Sequence, residues 1–341
     1  MGSSRVHRLI VAMVVLNLSL VCLSSSAEAV DRPTTLAAQA RLQQSLDMLA
    51  QRARPGLLGV DVLDLQSGTE VRVNANQAYP MMSVFKAPVA AAVLSRIEKR
   101  QLSLGQKITL TRADIQEGSA VPSIGANFHG DRMTFTVDQL LTAAVSESDN
   151  TAADALVKLV GGPQAVTAFL RAHGIEGMRV DLDEAGVQQV FEGLEPGEKK
   201  SPGESSQEAY KRYQRGYRAY LADPRNRSTP EAAVQFLRKL WSNELLSSVS
   251  TQHLLHLMYG QTIPNRLRAG LPDDVRLADK CGTSYSLDGE TAAYNDIGIL
   301  TAPDGHTVIV AAFLTASQAS KAEQDVLFAD LARSVAETLH P

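Results

Sequence analysis

Cysteine is nearly missing from this chain: 341 residues contain two, Cys22 and Cys281. Tryptophan occurs once, aromatic residues make up 5%, and neither sign of charge dominates, the net charge being −4. A charge so close to balance gives no global reason to expect nucleic acid or an anionic membrane as partner. The long apolar run lies at the start, where Arg5 and Arg8 precede Leu9 to Leu23 and Ala27-Glu28-Ala29 offers a small-x-small cleavage site. This pattern predicts a secretory leader over residues 1–29, cleaved near Ala29 to leave a secreted or periplasmic chain with no stable membrane association. The run is shorter than a typical span, which weighs against an uncleaved anchor, and Val21 before Cys22 weighs against lipidation there. With the leader removed only Cys281 is left, which excludes an intramolecular disulfide and a cysteine metal cluster. The mature chain, about 310 residues, is long enough to be held by its core alone.

What is present reads as a globular protein, 44% hydrophobic and 21% charged. Leucines at 36, 42, 46 and 49 mark a helix over Thr34 to Arg54. Leu57 to Leu65 and Glu70 to Val73 alternate as strands around the turn Gln66-Ser67-Gly68-Thr69. From Ser95 to Gly177 the pattern is mostly helical, with helices expected over Phe135 to Ser146, Asn150 to Val160 and Pro163 to His173. Asp181 to Pro230 reads as irregular, apart from a helix over Gln207 to Ala222. That helix carries Tyr210, Tyr213, Tyr217 and Tyr220, half of the eight tyrosines. It is expected to pack its tyrosine stripe on the body, the alternative being a polyanion- or cell-wall-binding surface. Helices resume at Ser228-Thr229-Pro230-Glu231. His253 and His256 share a helix face without a further ligand pair. Three strands, Arg276 to Ser284, Ala292 to Thr301 and His306 to Thr315, precede a last helix from Ala322 to Leu339. The expectation is an α/β (α+β) protein. The helices from the two ends would pack on one sheet made by residues 30–88 and 232–341, and residues 89–231 would form a helical lobe.

The stretch Pro80 to Leu94 holds a serine and a lysine, Ser83 and Lys86, one turn apart on a segment apolar nearly all round. Burying a lysine is costly unless it is paired or functional. Two residues at i, i+3 share a face, and a buried amine can take the proton from a hydroxyl. Ser-x-x-Lys alone is weak, since it should arise by chance about once in a chain of ordinary composition. Two further signals follow in order: Ser148-Asp149-Asn150 between two apolar helices, and Lys280-Cys281-Gly282 on a strand, where the glycine lets a ligand lie against the backbone.

In these three motifs, in their order and placement, the chain resembles the class A β-lactamases within the penicillin-recognising serine hydrolases. The resemblance runs from about Leu57 to Leu339 and is supported by Leu58-Gly59-Val60, Gly161-Gly162-Pro163 and Asn295-Asp296-Ile297. It implies a β-lactamase/transpeptidase-like fold, an antiparallel sheet flanked by helices plus an all-helical lobe. It implies hydrolysis of the β-lactam amide through an acyl-enzyme by a monomer, with no metal and no organic cofactor. By resemblance Ser83 is the nucleophile, Lys86 its partner in proton transfer, and Ser148 the donor to the leaving nitrogen. Asn150 holds the substrate's side-chain amide, Lys280 attracts its carboxylate, and the N–H groups of Ser83 and Thr283 form the oxyanion hole.

Four departures matter. The deacylating glutamate is expected at Glu184, at the right offset after Arg179-Val180-Asp181, but Gln188 stands where the family usually has asparagine. The loop from 184 to 230 is much longer than the family's habit. Cys281 replaces a serine or threonine whose hydroxyl assists carboxylate binding, and a thiol is a poorer donor. The arginine some members use near Tyr294 or between Ser317 and Asp325 is missing, and Arg266 is the candidate in its place. The other readings are a peptidoglycan D,D-peptidase or other serine amidohydrolase, which lacks a dedicated deacylating acid, and a cell-wall binding protein with a dormant site.

Overall fold

The computed structural model describes residues 32–195 and 197–339. The leader expected over residues 1–29 lies outside the described residues. Helix α1 (Arg32–Arg52) leads into a hairpin of β1 (Leu57–Asp64) and β2 (Glu70–Val73), then the short β3 (Tyr79–Pro80) and α2 (Lys86–Glu98). A segment expected to be helical contains instead a hairpin, β4 (Lys107–Thr111) and β5 (Arg132–Thr136), with the one-turn α3 (Ser123–Ala126) between its strands. Its Lys107-Ile108-Thr109-Leu110-Thr111 alternation, rich in β-branched residues, is the strand signal that the helical reading passed over. Helices α4 (Val137–Val145), α5 (Asn150–Leu159) and α6 (Pro163–Ala172) follow as expected. Thr136 caps α4 by accepting from Gln139 N, Asp149 caps α5 by accepting from Ala152 N, and Pro163 opens α6 at a position that needs no N–H.

The segment read as irregular is also helical. It holds α7 (Glu184–Phe191) and the 17-residue α8 (Ser206–Ala222), and is closed by β6 (Arg227–Ser228), which pairs with β3. Asp183 accepts from Gly186 N and starts α7. Helices α9 (Pro230–Trp241) and α10 (Ser248–Tyr259) complete the middle of the chain. The strands β7 (Arg276–Thr283), β8 (Ser286–Leu287), β9 (Glu290–Thr301) and β10 (Thr307–Ser317) precede α11 (Lys321–Leu339).

The main sheet runs β2-β1-β10-β9-β7, with β8 paired to β9 and every pair antiparallel. Its central strands are apolar on both faces because both faces are covered. On β10, Ile309, Ala311 and Phe313 point into one core with Val84, Phe85 and the α2 helix. Val308, Val310, Ala312 and Leu314 point into the other, against Leu42, Leu46 and Leu49 of α1 and Phe328, Leu331 and Val335 of α11. Alternation along a strand thus feeds two cores from one sequence run. Strand β7 lies at the end of this order, and the helical part of the chain packs beside it. Among the described residues no helix is long and apolar enough to cross a membrane.

Candidate active site

Ser83 does not sit in the first turn of the long helix. It lies in a short 3-10 turn, Met82–Phe85, entered through Met82 at φ +46° and followed directly by α2. Gly282 makes room for this turn. A Cβ there would stand 2.4 Å from Met81 O and 3.1 Å from the N atoms of Ser83 and Val84, so only glycine lets β7 come so close. The glycine expected to admit a ligand to the strand therefore admits the Ser83 turn, and Ser83 and Thr283 line the same cavity. Asn295, opposite Gly282 in the sheet, donates to Pro80 O at 2.8 Å and Met81 O at 3.1 Å, pinning the approach to Ser83.

Beneath Ser83 is a chain of polar groups. Its hydroxyl lies 3.5 Å from Glu184 Oε1, which is 2.9 Å from Lys86 Nζ. Lys86, fully buried, also donates to Ser148 O at 2.7 Å and Asn150 Oδ1 at 2.6 Å. Three close acceptors match the three donors of an ammonium group, and among the described residues none of these bonds goes to Ser83. The expectation of a direct Ser83–Lys86 hydrogen bond is thus replaced by contact through Glu184. Ser148 holds an unfavourable left-handed backbone, φ +58°, and its hydroxyl accepts from Lys280 at 3.0 Å and lies 3.5 Å from Lys86. Burial first, then the nearby Lys86, lowers the Lys280 ammonium to about 8. Asn150 donates to Glu117 O at 2.8 Å, tying the cleft's far wall to the lysine.

Glu184 is held by a residue that the sequence reading passed over. Asp154 on α5 accepts from the N–H groups of Glu184 (2.6 Å) and Ala185 (3.1 Å), fixing the start of α7. Burial, with Asp183 and Glu184 beside it, pushes the Asp154 carboxyl up to about 8. Asn226 is another such residue. Its side chain accepts from Asp181 N (2.7 Å) and Leu182 N (2.9 Å) and donates to Leu182 O (2.9 Å), closing the neck of the long loop. Neither has a motif around it. Gln188 turns to Glu192, donating at 3.0 Å.

Cys281, Thr283 and Arg266 lie together on another side of the cleft, with Lys280 buried next to Cys281 on β7. Arg266 is 2% exposed, stands over the Tyr294 ring with its guanidinium carbon 4.1 Å from the centroid, and donates to the Thr283 hydroxyl. Tyr294, noted as a position without arginine, is therefore the platform for one. Arg266, Cys281 and Thr283, with Ser83, Glu184, Asn150 and Tyr285, line a cavity of about 370 Å³. Tyr285 reaches across to Gly118, where a Cβ would stand 2.1 Å from its hydroxyl oxygen. His253 pairs with Asp138 at 3.2 Å, and among the described residues no group of three His, Cys, Asp or Glu side chains could hold a metal ion.

The inserted helix packs the second half of its tyrosine stripe inward, Tyr217 and Tyr220 being buried beside the cleft while Tyr210 stays exposed. Tyr220 stacks on Phe191 of α7 at 4.0 Å between centroids and its hydroxyl meets the sulfur of Met82 at 2.7 Å. Tyr217 donates to Glu290 O and Tyr210 to Asp288, both at 2.7 Å, so α8 joins α7 to the end of the sheet.

Comparison with known proteins agrees with this geometry. The family model described as "Beta-lactamase enzyme family" matches residues 40–339. Beta-lactamase VEB-1 of Pseudomonas aeruginosa is 30% identical over 285 residues, covering 83% of this chain and 85% of its own. Among solved structures, a β-lactamase from Chitinophaga pinensis superposes with a TM-score of 0.75 at 29% identity, covering 88% of this chain and 99% of its own. An ancestral class A β-lactamase gives 0.71 at 34% identity, covering 87% and 99%. With the serine, the lysines and the buried glutamate gathered in one cleft of a shared fold, the chain belongs to the class A serine β-lactamases, enzymes that hydrolyse the β-lactam amide.

Proposed function

We propose that Ser83 is the acylated nucleophile and Glu184 the base for both halves of the reaction. The observation that carries this is the unbroken polar chain Ser83–Glu184–Lys86–Ser148–Lys280, in which Glu184 is the carboxylate that, among the described residues, faces the serine hydroxyl. Glu184 takes the Ser83 proton, directly or through one water, as Oγ attacks the lactam carbonyl. The N–H groups of Ser83 and Thr283 receive the oxyanion, an interaction worth about 3–4 kcal/mol in acyl transfer. Ser148 protonates the departing nitrogen and is resupplied from the lysines on either side. Lys86, engaged by three acceptors, holds Glu184 and Ser148 in line. The substrate carboxylate is bound by Lys280, Thr283 and Arg266 beside Cys281, and one N–H of Asn150 is left for the side-chain amide. Glu184 then activates the water that releases the acyl group.

The test is turnover of a chromogenic cephalosporin with intact mass followed in parallel. Ser83→Ala should show no turnover and no adduct. Glu184→Ala should show an acyl adduct that persists. Rapid deacylation by that variant would move the base elsewhere.

The leader pattern in residues 1–29, with a small-x-small site at Ala27 to Ala29, supports export to the periplasm or medium. The protein would work there as a monomer, its two lobes made by residues 30–88 with 232–341 and by residues 89–231.

A further inference from the structure

The cleft contains a second nucleophile. Cys281 is the cysteine left after leader removal, it lines the same cavity as Ser83, and it is reduced and unpaired. Beside it Arg266 is 98% buried, and its Nε and Nη1 have no partner among the described residues. Thr283 accepts from Nη2 and the buried Asp296 lies near, but a buried donor without an acceptor is costly, so these two nitrogens favour an anion in the cavity. Burial works to loosen the guanidinium's proton, and Cys281 leads the neighbours that hold it on, so thiol and guanidinium feel each other directly. Lys280, adjacent in sequence, adds a second cation.

We propose that Cys281 is a covalent modification site for small anionic disulfides and thiosulfonates, drawn in by Arg266 and Lys280, and that its capping shuts off hydrolysis. The thiol gives its proton to water, and the sulfur attacks one sulfur of the reagent. The reagent's S–S bond breaks as the Cys281–reagent bond forms, and the second sulfur leaves with the electron pair as a thiolate or sulfinate. The reagent is itself the oxidant, and a thiol reverses the step. The group so attached fills the space beside Thr283 and Arg266 that the substrate carboxylate requires. The inference rests on this cleft being the catalytic one, yet the adduct is read by mass and does not depend on that.

The test treats the folded enzyme with 2-sulfonatoethyl methanethiosulfonate and, separately, with its trimethylammonium counterpart. The anionic reagent should add one equivalent about tenfold faster, in the range of electrostatic steering, with the preference shrinking as salt is raised. Cephalosporin hydrolysis should fall in step with the adduct and return with dithiothreitol. Cys281→Ser, whatever its own turnover, should lose none on treatment. Equal rates for the two reagents, or no adduct until the protein is unfolded, would overturn the site. An adduct formed at full rate with hydrolysis intact would keep the thiol accessible but sink the claim that it controls the cleft.

Discussion

Lys280 carries its charge where water does not reach, and burial has brought its ammonium down from 10.5 to about 8. The sign follows directly. Below pH 8 the folded enzyme holds the proton, and with it the charge that the proposed role as carboxylate anchor needs; above it the charge is lost while the substrate stays anionic. The ratio kcat/KM, which reports free-enzyme groups, should therefore fall as pH rises through about 8. A profile flat from pH 7 to 10 would count against Lys280 as the anion anchor. At Gly282 the limit is space, since its own backbone conformation would accept alanine. A Cβ 2.4 Å from Met81 O must push the Ser83 turn away. An ångström of misplacement at the nucleophile costs roughly 100-fold in rate. Gly282→Ala should therefore fold, with kcat/KM down by about that factor and acylation as the slowed step in a stopped-flow trace.

Helix α8 shows how an insertion becomes part of a site without giving it a reacting group. Gly216 on α8 touches the end of α7 so closely that a Cβ would lie 2.3 Å from Phe191 O and 2.4 Å from Gly193 N. Helix α7 carries Glu184 at its start and Phe191 at its end. Gly216→Val must separate the helices, and overpacking of this kind costs about 1–3 kcal/mol. Urea unfolding should show that loss. A shifted α7 should also slow release of the acyl group more than its formation, giving a burst of product followed by a slower steady rate. Stability lost with deacylation unchanged would leave α8 as a surface brace. The same contacts explain why the tyrosine spacing was legible and its position was not. Helical periodicity predicts a stripe that packs on something, but only the fold shows that it packs on Phe191 and Met82.

Across the whole molecule, the doubly covered sheet forces some polar groups into dry places. Asp61 on β1 is fully buried, with both carboxyl oxygens lacking a hydrogen-bond donor among the described residues. Burial, reinforced by Glu70 and relieved in part by Arg72, raises it to about 7. The folded state thus keeps this proton up to about pH 7, whereas the unfolded chain releases it near 3.8. Its favourable contribution is present below 3.8 and is lost as pH rises through 7. Asp61→Asn should remove that loss: the variant should gain in Tm on the wild type between pH 4 and pH 8, and a constant gap would refute the assignment.

By itself the amino-acid sequence determined the candidate site residues and most of the frame. Ser83, Lys86, Ser148, Glu184 and Lys280 stand in readable motifs because local spacing puts each at a helix start, a loop or a strand. The capping residues Thr136, Asp149 and Thr229 mark their helices because caps act within one turn. Tertiary structure decided everything that needs residues far apart in sequence. It set Glu184 rather than Lys86 against the serine hydroxyl, over 101 residues of separation. It stacked Arg266 on Tyr294 and drew Gly282 against Met81. It also added an unforeseen helix, α7, to the inserted segment and set it with the expected α8 at the edge of the cleft. These outcomes depend on burial and backbone approach, which follow from how the layers pack and not from any short stretch of the chain.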